Sequence, residues 1–188
     1  LIPALAAEAE ALGVKIRTNC RVEPDRIAPG AYDLVVLATG QEPFFPCLWE
    51  NDGSLRETTA VALLNGESWC GERVALIGGG MVGCECAEFL SEYGKKVTLF
   101  EMKEGLAQDA YWNIRDQLLQ RMKKYEVRAV TGAAATAVRK RSIVCMENEA
   151  ERSYGPFDTM VSAVGLREAA TMEGRLSCLL YTSDAADE

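Results

Sequence analysis

The chain has 188 residues, of which 48% are hydrophobic and 26% are charged, an ordinary balance for a globular protein rather than a disordered one. The net charge of −8 argues against a nucleic-acid partner, which needs a basic face. No apolar run approaches the roughly 18 residues that span a bilayer, so we expect no membrane insertion. Histidine is absent, which excludes His-based catalysis within this sequence.

The seven cysteines are scattered, odd in number and not preceded by a signal-peptide pattern. This usage favours free thiols and a cytoplasmic location. Cys84 and Cys86 are two positions apart on a predicted helix, so they point in different directions and cannot form a dithiol pair. No cysteine pair has zinc-ligand spacing, so we expect no metal site.

Both ends of the chain read as incomplete. A helical face formed by Leu1, Leu5, Ala9 and Leu12 begins without any lead-in and ends at Gly13, which suggests that upstream sequence is missing. Residues 178–188 resemble a translated sequencing adapter. We therefore treat them as a non-native tail and exclude them from the fold analysis.

The first third of the chain predicts few regular elements. Residues 14–17 alternate in polarity and indicate a short strand, and the apolar run Asp33–Ala38 indicates a strand buried on both faces. Residues 41–58, with their prolines, glycine and charges, predict a loop or linker. Thr59–Leu64 fits a single helical turn.

The centre of the chain has the pattern of a βαβ unit. A strand at Arg73–Ile77 is followed by the turn Gly78–Gly80 and by an amphipathic helix at Met81–Tyr93. The apolar face of this helix comprises Val82, Cys86, Phe89, Leu90 and Tyr93, and we expect it to pack inward. Gly94 ends the helix, and Val97–Glu101 is the next strand.

The remaining segments complete an α/β fold. Trp112–Tyr125 predicts a second amphipathic helix, Ala133–Tyr154 a small antiparallel meander, and Phe157–Val164 a last strand that ends at Gly165. We expect a three-layer Rossmann-like nucleotide-binding domain with a parallel sheet.

The turn contains Gly78-x-Gly80-x-x-Gly83, the dinucleotide-binding pattern. Gly78 permits the tight turn, Gly80 lets a pyrophosphate approach the backbone, and Gly83 lets the helix lie close to the strand. The helix N-terminus then presents free N–H groups and its positive dipole end to the phosphates. The alternative is a glycine turn with a structural role alone.

Two acidic residues near the turn, Glu101 and Glu85, are candidates for cofactor contacts or for a solvent-exposed position. Glu101 ends the next strand, 18 positions after Gly83, where a carboxylate accepts hydrogen bonds from a ribose diol and repels a 2′-phosphate. This favours NADH over NADPH, although Lys103 could soften the preference, and Glu101 could instead cap a strand end in solvent. Glu85 shares a helix face with Glu88 and Glu92, which by itself indicates a solvated surface.

Three motifs resemble a known family. The segment Val74–Ala87 resembles the NAD(P)H-binding core, GGGxxGxExA, of the two-dinucleotide flavoprotein reductases. Ala38-Thr39-Gly40 and Ala163-Val164-Gly165 resemble the two motifs that border the NAD domain of that family. The sequence looks closest to the C-terminal half of the 2,4-dienoyl-CoA reductase / NADH:flavin oxidoreductase (old yellow enzyme-like) group.

The resemblance implies how cofactors would be held. Gly78, Gly80 and Gly83 would hold the NADH pyrophosphate and Glu101 the adenosine ribose, while Glu85 would lie near the nicotinamide and flavin. Thr39 and Gly40 would touch FAD. The complete expected cofactor-binding set, with no catalytic residue, is Ala38, Thr39, Gly40, Gly78, Gly79, Gly80, Met81, Val82, Gly83, Glu85, Glu101, Val164 and Gly165.

The resemblance also implies a domain plan. Residues 1–65 would be a partial FAD-binding domain with a linker, 66–165 the NAD(P)H-binding domain, and 166–177 the start of the return to the FAD domain. The parent protein would carry FAD, with FMN and an iron–sulfur cluster in a missing upstream barrel of the same chain.

The expected function is hydride transfer from NADH to FAD in an enoate- or dienoyl-CoA-type reductase. One alternative is an NADH dehydrogenase or disulfide-reductase-type flavoprotein, which an upstream dithiol motif or cluster cysteines would distinguish. Another is a non-catalytic nucleotide-sensing module, which need not carry FAD.

Overall fold

The computed structural model describes residues 2–23, 27–28, 31–46, 48, 50–168 and 180–182. The helices are α1 Ile2–Ala11, α2 Ala60–Leu64, α3 Met81–Glu92 and α4 Trp112–Lys124. The strands are β1 Val35–Leu37, β2 Gln41–Pro43, β3 Glu50–Asn51, β4 Arg56–Thr59, β5 Arg73–Ile77, β6 Lys96–Phe100, β7 Arg128–Val130, β8 Ala133–Arg139, β9 Ser142–Glu147, β10 Ala150–Tyr154, β11 Thr159–Ser162, β12 Leu166–Glu168 and β13 Leu180–Thr182.

The chain divides into two compact units, one within residues 1–40 and 169–188 and the other at Gln41–Glu168. The second unit therefore begins well before residue 66, because β4 joins its parallel sheet beside β11. The first residues after Gly165 also belong to it, since β12 pairs antiparallel with β2.

The first unit contains α1, β1 and β13. Its two strands pair in parallel, with Val35 opposite Leu180, so part of the segment predicted to be a tail has backbone partners here. The prediction of a strand at residues 14–17 is wrong. None of the described strands pairs with it, and Val14 and Ile16 are 53% and 44% exposed.

The second unit is built on a five-stranded sheet with the order β4-β11-β5-β6-β7, in which all pairs are parallel. Alternate residues of β5 pack into two different hydrophobic cores. Val74 and Leu76 pack in the core that contains the buried residues of α3 and α4, whereas Ala75 and Ile77 pack with residues of β8 and β9. This three-layer arrangement confirms the predicted fold class.

The third layer is a four-stranded sheet with the order β10-β9-β8-β3. Strands β8 to β10 form the predicted antiparallel meander, and β3 adds in parallel beside β8. Phe100 at the end of β6 meets Tyr154 and Phe157 edge to face, with ring centroids 5.4 and 6.0 Å away. Aromatic packing thus joins the two sheets below the glycine turn.

The two long helices bury less than the sequence predicts. Cys86 and Leu90 of α3 are buried as expected, but Val82, Phe89 and Tyr93 are exposed. α3 packs against the sheet and against α2 and α4, and these contacts leave the three side chains exposed. Among the described residues, no helix is long and apolar enough to cross a membrane.

Candidate nucleotide-binding site

A cavity of about 430 Å³ opens at the carboxyl ends of β5, β6 and β11. Loops that follow neighbouring parallel strands meet at this edge, which is the usual position of ligand sites in open α/β sheets. Its lining comprises Pro46, Ile77, Gly78, Gly79, Gly80, Val82, Phe100, Glu101, Met102, Lys103, Gly105, Gln108, Asp109, Ala133, Ala134, Ala135, Ala163, Val164 and Gly165.

Gly78 and Gly83 are required by close backbone packing. Gly78 has φ +107°, and a β-carbon there would lie 2.5 Å from the carbonyl oxygen of Ala163. A β-carbon on Gly83 would lie 2.0 Å from the carbonyl oxygen of Gly78. The absence of side chains lets α3 start directly against the turn and lets the turn lie against the end of β11.

Gly79 and Gly80 occupy the mouth of the turn and differ in their surroundings. A β-carbon on Gly79 would lie 2.8 Å from the β-carbon of Glu101. A β-carbon on Gly80 would meet the carboxylate of Asp109 first, at 3.2 Å from Oδ2. The group nearest to the open side of Gly80 is therefore the end of the Asp109 side chain.

Glu101 ties the glycine turn to the loop after β6. Its Oε2 accepts from the Gly79 N–H at 2.6 Å, and its Oε1 accepts from the Lys103 N–H at 2.8 Å. The residue is 9% exposed and lines the cavity. A carboxylate oxygen has two lone pairs, so each oxygen keeps one acceptor position for a ligand hydroxyl.

Asp109 is a site residue that the sequence analysis missed. Its Oδ1 accepts a 2.8 Å hydrogen bond from the backbone N–H of Met81, the first residue of α3. A carboxylate is favourable here because the N-terminus of a helix carries partial positive charge. No motif spacing marks Asp109; the only available signal was that its loop follows β6, beside the glycine turn.

The backbone that carries Asp109 is fixed at several points. The N–H of Ala107 donates to the Gly79 carbonyl at 2.7 Å, and Ala107 is buried. The Nε of Arg115 donates to the Leu106 carbonyl at 2.7 Å. Asp109 itself is exposed, and its side chain is held by the hydrogen bond from the Met81 N–H.

The cavity has few charges. Of the described residues that line it, Lys103 is the sole cation, and Glu101 and Asp109 are the two acids. The attraction for a phosphate here must therefore come mainly from backbone N–H groups and the α3 dipole. Among the described residues, no cluster of acidic, cysteine or histidine side chains could hold a metal ion.

The structure brings together most of the predicted cofactor-binding residues. Val82, Val164 and Gly165 line the cavity with Gly78–Gly80 and Glu101, whereas Gly83 and Met81 lie outside the lining, and the Met81 N–H donates to Asp109 of the lining. Ala38, Thr39 and Gly40 follow β1 in the other compact unit.

Glu85 is half-buried and lies outside the lining. Its neighbours Glu88 and Glu92 bond to residues of α4 and its C-terminal end, and Glu92 is also exposed. Glu88 pairs with Arg121 at 2.5 Å, and Glu92 accepts from the hydroxyl of Tyr125 at 2.8 Å, so both acids attach α3 to α4.

The cysteines beside the turn are not activated. Burial raises the pKa of Cys84 to about 11 and that of Cys86 to about 12. The thiol of Cys84 instead donates to the Gly79 carbonyl at 3.4 Å. Both thiols stay protonated near neutral pH and have a packing role.

Comparisons with known proteins identify relatives of this chain. An NADH oxidase from Thermoanaerobacter brockii is 34% identical over 171 residues, which cover 86% of this chain and 25% of the oxidase. A cinnamate reductase from Clostridium sporogenes is 37% identical over 97 residues, covering 52% of this chain and 14% of the reductase. The present chain thus spans about a quarter or less of the length of these relatives.

The fold also matches a solved structure. A 2-naphthoyl-CoA reductase in complex with 2-naphthoyl-CoA superposes with a TM-score of 0.71, over 94% of this chain and 27% of that one, at 22% identity. A family profile, pyridine nucleotide-disulphide oxidoreductase, matches residues 14–178. The chain therefore belongs to the pyridine nucleotide-disulphide oxidoreductase family.

Proposed function

We propose that this chain is the pyridine-nucleotide-binding part of a flavoprotein that passes hydride from NADH to FAD. The observation that carries the proposal is one cavity that holds the glycine turn, the N-terminus of α3 and the carboxylate of Glu101. Membership of the pyridine nucleotide-disulphide oxidoreductase family supports it, since the family takes its name from the pyridine nucleotide.

The residues present fit a dinucleotide. The atoms nearest to the open side of Gly80 belong to the carboxylate of Asp109, an exposed side-chain end that can rotate. Gly80 and the first turn of α3 would hold the pyrophosphate by backbone N–H groups. Glu101 would accept from the ribose hydroxyls through its remaining lone pairs, and its buried charge would oppose a 2′-phosphate.

The roles of the remaining residues follow from their places. Val82, Val164 and Gly165 line the same cavity and would exclude water around the nicotinamide. Glu85, half-buried on α3, is proposed to lie near the nicotinamide and flavin. When bound, the nicotinamide and flavin supply the hydride chemistry, and this chain supplies binding and orientation.

The parent protein is proposed to be an enoate- or dienoyl-CoA-type reductase. The cinnamate reductase similarity supports a 2-enoate substrate class, and the NADH oxidase similarity supports NADH as donor. FAD would be held in part by Ala38, Thr39 and Gly40. FMN, an iron–sulfur cluster and a barrel that contains them are proposed for a part of the parent protein outside this chain, which spans a quarter or less of the length of these relatives.

Calorimetric titration of the full 188-residue chain with NADH and NADPH tests the binding proposal. We expect saturable NADH binding that is tighter than NADPH binding, and loss of both in Gly80→Val, whose side chain would fill the pyrophosphate space. Equal affinities for NADH and NADPH, or tighter binding of NADPH, would show that Glu101 does not bind the adenosine ribose. Unchanged NADH binding by Gly80→Val would show that the glycine turn is only structural.

A further inference from the structure

The glycine turn and the start of α3 already hold two carboxylates of this chain. Glu101 accepts from the Gly79 N–H, and Asp109 accepts from the Met81 N–H. Of these two N–H groups, that of Met81 lies in the first turn of α3, which would hold a dinucleotide pyrophosphate under the proposed function. The two acids differ in one respect, since Glu101 is buried and Asp109 is exposed.

Asp109 stands in the space that a pyrophosphate needs. Its Oδ2 would lie 3.2 Å from a β-carbon on Gly80, which is the direction left open by the missing side chain. Its Oδ1 takes the N–H of Met81 at 2.8 Å. A phosphate group cannot accept from Met81 while the carboxylate remains there.

We infer that Asp109 is an internal competitor of the pyrophosphate and sets the affinity of this site for dinucleotides. The inference rests on the proposed function. The carboxylate mimics an anionic ligand at the N-terminus of α3 and must rotate away when a pyrophosphate binds.

The surroundings of Asp109 suit a side-chain exchange rather than a loop movement. The loop backbone stays attached through the bonds of Ala107 to Gly79 and of Arg115 to Leu106. The Asp109 side chain is exposed, so rotation about its own torsions carries the carboxylate into water. No buried charge is created by this step.

Charge determines the expected size of the effect. Even after rotation, a carboxylate a few ångströms from a pyrophosphate repels it, and Lys103 is the only cation among the described lining residues that opposes this repulsion. Removal of one such charge near the surface is expected to tighten binding about fivefold at low salt. The gain is expected to shrink as salt rises, because charges near the surface are screened over a Debye length of about 8 Å at physiological ionic strength.

The test compares Asp109→Asn with Asp116→Asn in the full chain. Asn keeps an acceptor for the Met81 N–H but loses the charge, and Asp116 is an exposed carboxylate of α4 outside the cavity lining. Both variants change the net charge equally. NADH is titrated by calorimetry at low and high salt, and inorganic pyrophosphate is titrated in parallel.

We expect Asp109→Asn to bind NADH and pyrophosphate about fivefold more tightly than the wild type at low salt, with Asp116→Asn unchanged. The ratio of the Asp109→Asn and wild-type affinities should approach one at high salt. Equal or weaker NADH binding by Asp109→Asn, in a wild type that does bind NADH, would overturn the competitor role alone. Absence of NADH binding in all three proteins would overturn the proposed function and this inference together.

An amide NMR titration of the wild type provides a readout that does not depend on the variant's stability. We expect the Met81 amide signal to move strongly on NADH saturation, because its acceptor changes from carboxylate to phosphate. A Met81 signal that stays in place at saturation would show that Asp109 keeps its bond, and would contradict the exchange.

Discussion

The carbonyl oxygen of Gly78 occupies the space into which a β-carbon of Gly83 would project, at a separation of 2.0 Å. This contact sets where α3 begins relative to β5, because the first turn of the helix rests on the backbone of the glycine turn. The N–H of Met81, the first residue of this helix, donates to Asp109 of the cavity lining. Backbone packing between the glycine turn and α3 thus sets the geometry of this site without any ligand.

Replacement of Gly83 by alanine should therefore damage the fold, not only the site. The β-carbon would lie 2.0 Å from a backbone atom, the Gly78 carbonyl oxygen, so the turn or the start of α3 must shift, and overpacking of this kind costs about 3 kcal/mol. We expect Gly83→Ala to melt about 10 °C lower than the wild type and to lose NADH binding. Thermal denaturation followed by circular dichroism measures the first effect and calorimetry the second.

Gly80→Ala is the matched comparison, since its β-carbon would meet only the carboxylate of Asp109. It should melt within about 2 °C of the wild type and bind NADH more weakly. A Gly83→Ala protein as stable as Gly80→Ala would mean that the Gly78–Gly83 contact is not tight.

Glu101→Gln should weaken both the loop connection and the preference between nucleotides. An amide accepts through one atom only, so one of the two N–H donors, Gly79 or Lys103, would face the amide nitrogen. Loss of a buried hydrogen bond costs about 1–3 kcal/mol of unfolding free energy. Because the charge that opposes a 2′-phosphate is also lost, the ratio of NADH to NADPH affinity should fall.

Melting curves and titrations with both nucleotides check this prediction. Glu104→Gln, an exposed acid of the same loop outside the cavity lining, is the control and should leave the ratio unchanged. The same NADH-to-NADPH ratio in Glu101→Gln and wild type would contradict the ribose assignment.

Asp158 should make the stability of the second unit sensitive to acid. Its Oδ1 accepts from Nη2 of Arg73 at 2.9 Å, its Oδ2 accepts from the Arg73 backbone N–H at 2.9 Å, and Arg141 also pairs with it. The Arg73 hydrogen bonds, with the charges of both arginines, hold the pKa of Asp158 well below its usual range.

A folded-state pKa below the unfolded value means that the carboxylate stabilises the fold above about pH 4, and that this stabilisation is lost as the pH falls further. Asp158→Asn should therefore melt below the wild type at pH 7, with a smaller difference at pH 3. Melting curves of both proteins across this range check the sign. A difference that stays constant with pH would show that the effect is steric.

The sequence predicted the central βαβ unit well and its surroundings less well. β5 begins and ends at the predicted residues, because a short apolar strand before a glycine turn has few other arrangements. The strand at residues 14–17 fails because alternation alone supplies no pairing partner. β3 and β4 lie within a stretch interpreted as a linker, and they are strands because β8 and β11 offer free edges.

The candidate site likewise contains residues that the sequence predicted and residues that it did not. The glycines and Glu101 were predictable because their backbone roles impose a spacing in sequence. Asp109 was not, since its place at the α3 N-terminus depends on how the loop after β6 folds back through the Ala107–Gly79 bond. The exposure of Val82, Phe89 and Tyr93 was also not predictable, because an apolar face does not indicate how much of it the neighbouring layers cover.

The buried thiols should be unreactive in the folded chain, which bears on the disulfide-reductase alternative. Burial raises the pKa of Cys84 to about 11 and that of Cys145 to about 12, so at pH 8 only about 0.1% or less of either thiol is ionised. Cys20 is exposed and free. We expect iodoacetamide at pH 8 to modify Cys20 within minutes and to leave Cys84, Cys86 and Cys145 unmodified until denaturant is added.

Peptide mass spectrometry after timed labelling gives the modified fraction at each position, and the urea-unfolded chain gives the rate without burial. Rapid native labelling of Cys84 would mean that its bond to the Gly79 carbonyl does not hold it in the core. Because disulfide reduction needs an attacking thiolate, protected thiols at Cys84 and Cys86 would exclude this pair as a reductase dithiol. Any dithiol of the parent protein would then have to come from another part of its chain.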